Sequence, residues 1–529
     1  MKGSRSGTRY ISEEFLAAMV VLIAAGVRLL HVIFTVRLNP LTYSLILDSA
    51  VYDKWAKALV WGGAFPPTRL MQAPLYPWFL SLIYRVFGPN LTAVRSVQAL
   101  LGVLACAFIT IYTRRLFRSS TAGIIAGLLA ALYLPSIFYE GVILPATLIL
   151  FLNSLFLMLI APDSRPPGPA RLMAAGFVLG LSVMAKPVAL LLLPFAILHI
   201  RLVKDHSSHD IPTEAKNTGP VTGARFLRYS AALIVGVIFA VAPLTIRNAR
   251  MTGTFMPLTT GGGINFYIGN NPRANGFYSV PFYRDMPLGG TPEVQQERMR
   301  LLAESAEKRK LSPGEISRFW TKEALRYISS EPGKSAALNF RKFLYFFNRY
   351  ERASVESIPF HRKFGGIISL PLPGYWFVIS FALLGIFLTR KRWDRLFLLY
   401  GGVLTYLAAA VIFYVLARYR LPVVVFLIPF AGAAIMKLLK MIRDRKLFDL
   451  AIMAVALVLA FYATGLTIAR DTPFGKASRM VRLGKVYANS GDVGKATVIW
   501  QEALKVDPGH PEAERCLQDS GVTVPDEQK

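Results

Sequence analysis

The chain has 529 residues, 54% of them hydrophobic and 17% charged, with a mean hydropathy of +0.44. That composition excludes an ordinary soluble domain of this length. A formal net charge of +29 raises nucleic-acid binding as a reading, but the placement of the basic residues points to membrane topology instead.

Apolar runs occupy 15–36, 91–111, 123–138, 144–160, 229–246, 376–388, 396–416, 423–436 and 451–466. Each is long enough, with its flanks, to approach the roughly 20 residues that cross a bilayer. The stretch 174–200 is too long for one simple span and is broken by Lys186-Pro187, so it reads as two short spans, 172–185 and 187–201. The first run follows basic residues, as a signal peptide would. Its core is too long and lacks a small-residue cleavage site, so it is expected to stay as an anchor. The fold class expected is an all-α polytopic membrane protein with about eleven transmembrane helices.

Lys and Arg in the short loops set the orientation. With the N-terminus inside, one side collects Lys2, Arg5, Arg9, Arg114, Arg115, Arg118, Arg165, Arg171, Arg201, Lys204, Lys216, Arg225 and Arg228. Arg390 to Arg395 and Lys437 to Lys446 extend the same side. The short outer loops hold only Lys186, Arg418 and Arg420. This asymmetry requires an odd number of spans and a C-terminus outside the cytoplasm. The expected location is a bacterial inner membrane, crossed many times. Cys106 falls inside a span and Cys516 near the C-terminus, so no disulfide framework is implied.

Two long outer segments follow from this topology, 37–90 and 248–366, within a membrane domain covering 1–466. The first holds Asp48, Tyr52, Asp53 and Trp55, then a Pro-rich stretch from Phe65-Pro66-Pro67 to Pro74-Leu75-Tyr76-Pro77. Its scattered apolar residues fit helices lying along the membrane surface. The second opens with Gly261-Gly262-Gly263-Ile264-Asn265 and Gly269-Asn270-Asn271-Pro272, then becomes amphipathic over about 293–331. The tail, 467–529, is polar and helical. Leu483-Gly484, Tyr487, Gly491, Ala496, Trp500, Ala503 and Pro508 fall in register with a tetratricopeptide repeat. One such unit buries its own face poorly, so it is expected to pack on flanking helices, on the membrane domain or on a protein partner.

Topology places a set of polar residues at one membrane face: Asp48, Tyr52, Asp53, Glu140, Lys186, Arg247, Asn248, and Arg418-Tyr419-Arg420. Ionisable groups at membrane depth are costly and need a partner or a task. Their convergence implies an outward-facing cavity that takes an anion. Plainer roles exist for each. Arg418 and Arg420 fit as helix-end anchors among head groups, Lys186 as a snorkelling side chain, and Asp48 as a helix cap. Gly269 to Pro272 is good turn chemistry without any ligand.

Several motifs in order carry a family resemblance over about residues 12–440. They are Asp48 with Tyr52 and Ala56, Pro74-Leu75-Tyr76-Pro77, and Arg418-Tyr419-Arg420-Leu421-Pro422. Arg247-Asn248, Gly253, Phe255 and Pro257, the Gly-Asn-Asn-Pro loop, and Asn348-Arg349-Tyr350-Glu351 add to it. The chain resembles the type C glycosyltransferases of the protein O-mannosyltransferase and lipid A aminoarabinose transferase superfamily, whose bacterial members often carry tetratricopeptide repeats. The resemblance implies transfer of a sugar from a polyprenyl-phosphate-linked donor to an acceptor hydroxyl, with inversion. The acceptor would be a glycan, a lipid or a protein.

On that resemblance Asp48 is the candidate general base, Arg418 and Arg420 the candidate phosphate clamp, and Lys186 and Arg247 secondary cations for it. Tyr52, Asp53, Tyr76 and Tyr419 are candidate substrate contacts. No cofactor is implied, and no His or carboxylate cluster has metal-ligand spacing. Departures from relatives are Gln72-Ala73 where some have a phosphate-binding Lys, Leu144-Pro145-Ala146 where some have an acid, and Ser49 where several have Glu. Two other readings use the same residues: a transporter or flippase of a lipid-linked saccharide, and an assembly factor acting through the tail.

Overall fold

The computed structural model describes residues 13–63, 72–161, 167–202, 223–252, 258–278, 292–353, 355–466 and 471–520. Lys2, Arg5, Arg9, Phe65 to Pro67, Arg165, Lys204, Lys216, Gly253, Phe255 and Pro257 therefore lie outside the described residues. The fold is all-α. Among the described residues the one β feature is a single bridge between Phe277 and Val415.

The first half of the chain builds α1 (Glu13–Leu38), α2 (Leu47–Val60), α3 (Leu75–Phe87), α4 (Leu91–Phe117), α5 (Ser120–Leu132) and α6 (Leu134–Glu140). Next come α7 (Ala146–Ile160), α8 (Pro169–Ala185), α9 (Leu192–Leu202) and α10 (Gly223–Thr252). The second outer segment holds α11 (Gly262–Gly269), α12 (Pro292–Glu307), α13 (Pro313–Ser330), α14 (Pro332–Phe347) and the single turn α15 (Ile358–His361). Then α16 (Tyr375–Thr389), α17 (Trp393–Ile412), α18 (Ala417–Arg443) and α19 (Leu447–Gly465) precede the tail helices α20 (Pro473–Asn489), α21 (Val493–Val506) and α22 (Pro511–Asp519).

Most of each apolar run read from the sequence is helical; 123–138 is divided between α5 and α6 at Tyr133, and 396–416 leaves α17 after Ile412. Six helices are long and apolar enough to cross a bilayer, or seven with α5 and α6 as one bent span; α7, α8 and 187–202 are shorter apolar helices. In that count 375–412 is a single helix; a basic 3-10 turn, Arg390–Arg392, divides it into α16 and α17. The protein is thus a multi-pass membrane protein. Its outermost span, α19, leaves Phe448, Val458 and Tyr462 about two-thirds or more exposed, as a lipid-facing helix does.

Two local features hold the bundle. Where α8 crosses α10, a Cβ on Gly176 would lie 2.0 Å from the Leu233 carbonyl oxygen, and one on Gly236 would lie 2.1 Å from that of Met173. Only glycine permits this approach, which replaces the missing hydrophobic drive between helices in lipid. At the α5–α6 break, Pro135 supplies no backbone N–H and the chain bends by 50°. Arg28 on α1 reaches into this bend. Its Nη2 donates to Glu140 Oε1 at 3.0 Å and its Nη1 to the Ala131 carbonyl at 3.1 Å, both residues being 1% exposed. Ser136 Oγ also donates to Glu140 at 2.9 Å.

The tail helices form a hairpin with α22 added. Trp500 is 4% exposed and donates from Nε1 to the Val481 carbonyl at 3.1 Å, against Gly484, Ala496 and Ala503. The hairpin docks on the membrane domain through Arg482, which donates to Glu356 Oε1 at 2.7 Å and to the Ser44 carbonyl. Asn348 Nδ2 donates to the Leu466 carbonyl at 2.6 Å, and Tyr350 donates to Asp471 at 2.7 Å. Burial pushes the Glu356 carboxyl up. Hydrogen bonds from His361 and Arg482 outweigh that and hold it below the ordinary carboxylate value.

Two outcomes follow from these contacts. Arg28→Met strands a buried carboxylate and should cost about 3–5 kcal/mol, whereas Arg28→Met with Glu140→Gln should recover most of it, read as thermal unfolding of detergent-purified protein. Glu356 has a depressed folded-state pKa, so its contribution is complete above the unfolded value and is lost as pH falls below about 4.5. Acid should therefore expose the tail to protease, and Glu356→Gln should flatten that pH dependence.

Candidate active site

A cavity of about 360 Å³ opens at one end of the bundle. Asp48 and Tyr52 enter it from α2, Lys186 from the break between α8 and the following turn, Asn265 from α11, Gln295 from α12, and Arg418 and Tyr419 from the start of α18. Its size is that of a small-molecule site.

The chain approaches Asp48 in an unusual way. Leu47 has φ 48°, in the left-handed region. That conformation costs a non-glycine residue roughly 1–2 kcal/mol and turns the chain abruptly into α2. Asp48 then sits in the first helical turn, where the helix dipole favours a carboxylate. Its Oδ2 accepts from Arg418 Nη1 at 2.6 Å, and Gln72 Nε2 approaches Oδ1 at 3.5 Å. Both members of the pair are mostly buried, with side chains 14% and 18% exposed.

Lys186 meets the same cluster from the opposite element. Its Nζ lies 3.3 Å from the centre of the Tyr419 ring, and Arg418 Cζ lies 5.2 Å from it. The ring faces thus hold two cations through their quadrupole. Two basic groups stand against one carboxylate, and burial together with the Arg418 charge pushes the Lys186 ammonium well below its ordinary value, a penalty that a bound anion would relieve. Such a wall suits an anionic substrate group.

Arg418 and Arg420, paired in the sequence, are separated by the structure. Arg420 is 2% exposed, and Nη1 and Nη2 donate to the carbonyls of Tyr345, Asn348 and Tyr350, the last at 2.7 Å. Its guanidinium stacks 4.2 Å from the Tyr375 ring. It lines the cavity while its donors serve the second outer segment. Asp53 and Tyr76 are likewise engaged elsewhere. Asp53 accepts from Tyr84 at 2.6 Å and from Lys57 at 2.7 Å, and Tyr76 donates to Gln98 at 2.7 Å. Tyr52 stands edge-on to Tyr76, 5.2 Å between centroids, and reaches the cavity. Arg247, on α10, and Glu140 are not among the cavity-lining residues.

The Gly-Asn-Asn-Pro loop proves to be scaffolding for the Arg418 segment. A Cβ on Gly269 would lie 2.0 Å from the Phe413 carbonyl oxygen. Asn270 Nδ2 donates to the Phe266 and Ile412 carbonyls at 2.9 and 2.7 Å, while its Oδ1 accepts from Lys342 at 3.0 Å. Lys342 also donates to the Val411 carbonyl at 3.0 Å, and burial pulls its ammonium down to about 8. Asn265 accepts from the Tyr414 hydroxyl at 2.7 Å, and Tyr278 donates to Gln295 at 2.7 Å. Asn265, Tyr278, Gln295 and Tyr414 were not singled out as site residues from the sequence, because nothing in local spacing marks them.

Residues 71–214 match the family described as dolichyl-phosphate-mannose-protein mannosyltransferase. Of the motifs that carry the resemblance, Pro74-Leu75-Tyr76-Pro77 lies inside that segment, whereas Asp48 and Arg418 to Pro422 lie outside it. No curated protein matches the chain. Among solved structures the chain is similar to the oligosaccharyltransferase of Archaeoglobus fulgidus in its apo form, at 13% identity and a TM-score of 0.42, covering 96% of this chain and 61% of that one. The same enzyme tethered by a disulfide to an acceptor peptide containing the NVT sequon matches at 13% identity and a TM-score of 0.40, covering 94% and 59%. The chain thus spans about three-fifths of the length of the solved structures it matches.

Gly269→Ala tests the scaffold reading. The added methyl must displace the Phe413 backbone and should cost about 1–3 kcal/mol in thermal stability; an unchanged melting temperature would remove that role.

Proposed function

We propose that the protein is an inverting glycosyltransferase that moves a sugar from a polyprenyl-phosphate-linked donor to an acceptor hydroxyl at the extracytoplasmic face. The observation that carries this reading is the Asp48–Arg418 pair, 2.6 Å apart in a cavity that also presents Lys186. The mannosyltransferase match over 71–214 supports it.

The chemistry needs a proton acceptor and a home for a phosphate. As the acceptor oxygen bonds to the anomeric carbon, its proton passes to an Asp48 carboxylate oxygen. The bond from that carbon to the phosphate oxygen breaks, with its electron pair leaving on the phosphate. No general acid is required, because the leaving group is already a stable anion. Arg418 and Lys186 balance its charge, Arg418 through its fork of donors.

The resting ion pair gives this sequence an order. A carboxylate held by a guanidinium is a poor base. When the donor phosphate takes over Arg418, Asp48 is released next to the acceptor hydroxyl, so donor binding precedes activation. Arg420 holds the Asn348 to Tyr350 segment in this scheme, and Tyr52 and Tyr419 present rings to the sugar. The extracytoplasmic tail, 467–529, serves as a docking unit for a protein partner in the same reading.

Sugar transfer from radiolabelled polyprenyl-phosphate sugars, in proteoliposomes, tests the proposal. Asp48→Asn should keep folding and donor binding while transfer falls by about 10²–10⁴-fold. Equal transfer by both proteins would remove Asp48 from the reaction. Lys186→Met should weaken donor binding more than Arg420→Lys does.

A further inference from the structure

A second cavity, about 40 Å³, runs along the same stretch of chain as the candidate site. Ser44 and Ser49 line it, whereas Leu47 and Asp48 line the first. The second cavity is built around Arg95 on α4, which is 3% exposed. Arg95 Nε donates to the Gly141 carbonyl at 2.8 Å, and Nη2 donates to the Thr42 carbonyl. Nη1 is buried and meets no acceptor among the described residues.

Among the described residues no carboxylate is in ion-pair contact with this guanidinium. The acid lining the cavity, Glu356, is engaged by Arg482 on Oε1 and His361 on Oε2, each at 2.7 Å, and acts on Arg95 only through space. Two further buried polar atoms on the lining have no partner among the described residues: His31 Nε2 and Ser49 Oγ. His31 Nδ1 lies 3.4 Å from the Thr35 hydroxyl, which can donate to it and so leave the ring proton on Nε2. Three unpartnered donors, one of them formally charged, therefore belong to residues that line one small space.

Desolvating a guanidinium costs more than two carbonyl contacts return; Arg420 adds a third carbonyl and a ring at 4.2 Å, whereas Arg95 has two carbonyls, a Tyr43 ring at 5.9 Å and Nη1 left over. The volume is about three times the 10–15 Å³ that admits a water and is small for a sugar phosphate. We propose that this cavity binds a small monovalent anion of the halide class, held by Arg95 Nη1, His31 Nε2 and Ser49 Oγ. The ion joins α1, α4 and the first turn of α2. It thereby fixes the residue next to Asp48 without entering the candidate active site. The inference stands whether or not the transferase reading does.

Thermal unfolding of the full chain in detergent tests it, with chloride replacing gluconate at constant ionic strength. The wild type should show a saturable rise in melting temperature with chloride. Arg95→Gln should abolish the rise, and Ser49→Ala should move its midpoint up by roughly tenfold, the loss of one charge-assisted hydrogen bond. A flat response in the wild type, or one shared unchanged by both variants, would overturn the site and leave water as its content. Should Arg95→Gln fail to fold, anomalous diffraction from wild-type crystals in bromide decides. A peak beside Arg95 Nη1 supports the site, and no peak there overturns it.

Discussion

The pairing of Asp48 with Arg418 imposes most of the demands that the rest of the structure meets. The two residues are 370 positions apart in sequence, and their oxygen and nitrogen sit 2.6 Å apart in a largely buried setting. A pair of this kind gains only if both ends are held, since its desolvation cost is paid in full when either end drifts. One end is fixed by the left-handed Leu47 and the start of α2. The other is fixed by a layer of backbone contacts. Val415 donates to the Gly276 carbonyl, Ala417 to the Arg352 carbonyl, and Asn270 to the Ile412 carbonyl. The second outer segment thus serves chiefly to present five residues of chain, 415–419, at a set position.

The same constraint explains the division of labour among the cations. A guanidinium has five donors, and carbonyls can engage them without neutralising the charge. Arg420 uses its fork in this way, clasping three carbonyls under Tyr375, and so becomes part of the frame. Lys186 and Arg418 both approach the ring of one tyrosine and line the cavity, where a bound anion would favour the charged form of Lys186. Substrate charge can then complete a balance that the protein leaves open at this point.

Much of this was legible in the sequence. Apolar runs located the helices, since length and hydropathy alone decide what can sit in lipid. Lys186-Pro187 marked a true break, because proline cannot continue the hydrogen-bond ladder of α8. Asp48, Tyr52, Lys186, Arg418 and Tyr419 were all singled out, and the structure brings them to one cavity. Partners were not legible. Glu140 looked like a site acid at the end of a span, and its bond to Arg28 depends on a helix crossing that no local pattern encodes. Asp53 was read as a substrate contact beside the candidate base Asp48, and the structure turns it away from the cavity. They are five positions apart on α2, which turns them to different faces, one to Arg418 and the other to Tyr84 and Lys57.

The turn loop at Gly269 shows why composition undervalues such residues. Gly-Asn-Asn-Pro reads as a turn in any protein, and here it is one. What composition cannot show is that Gly269 lies beneath the Phe413 carbonyl and that Asn270 fills both the α11 and the α17 ends with one amide. These contacts bring the outer segment onto the last turn of α17, two residues before the bridge that aligns Val415. A loop without a single ionisable side chain between Gly269 and Pro272 therefore determines where the Arg418 cation stands. In a site whose working groups are charges at membrane depth, the uncharged residues that set their spacing are as much a part of the chemistry as the charges.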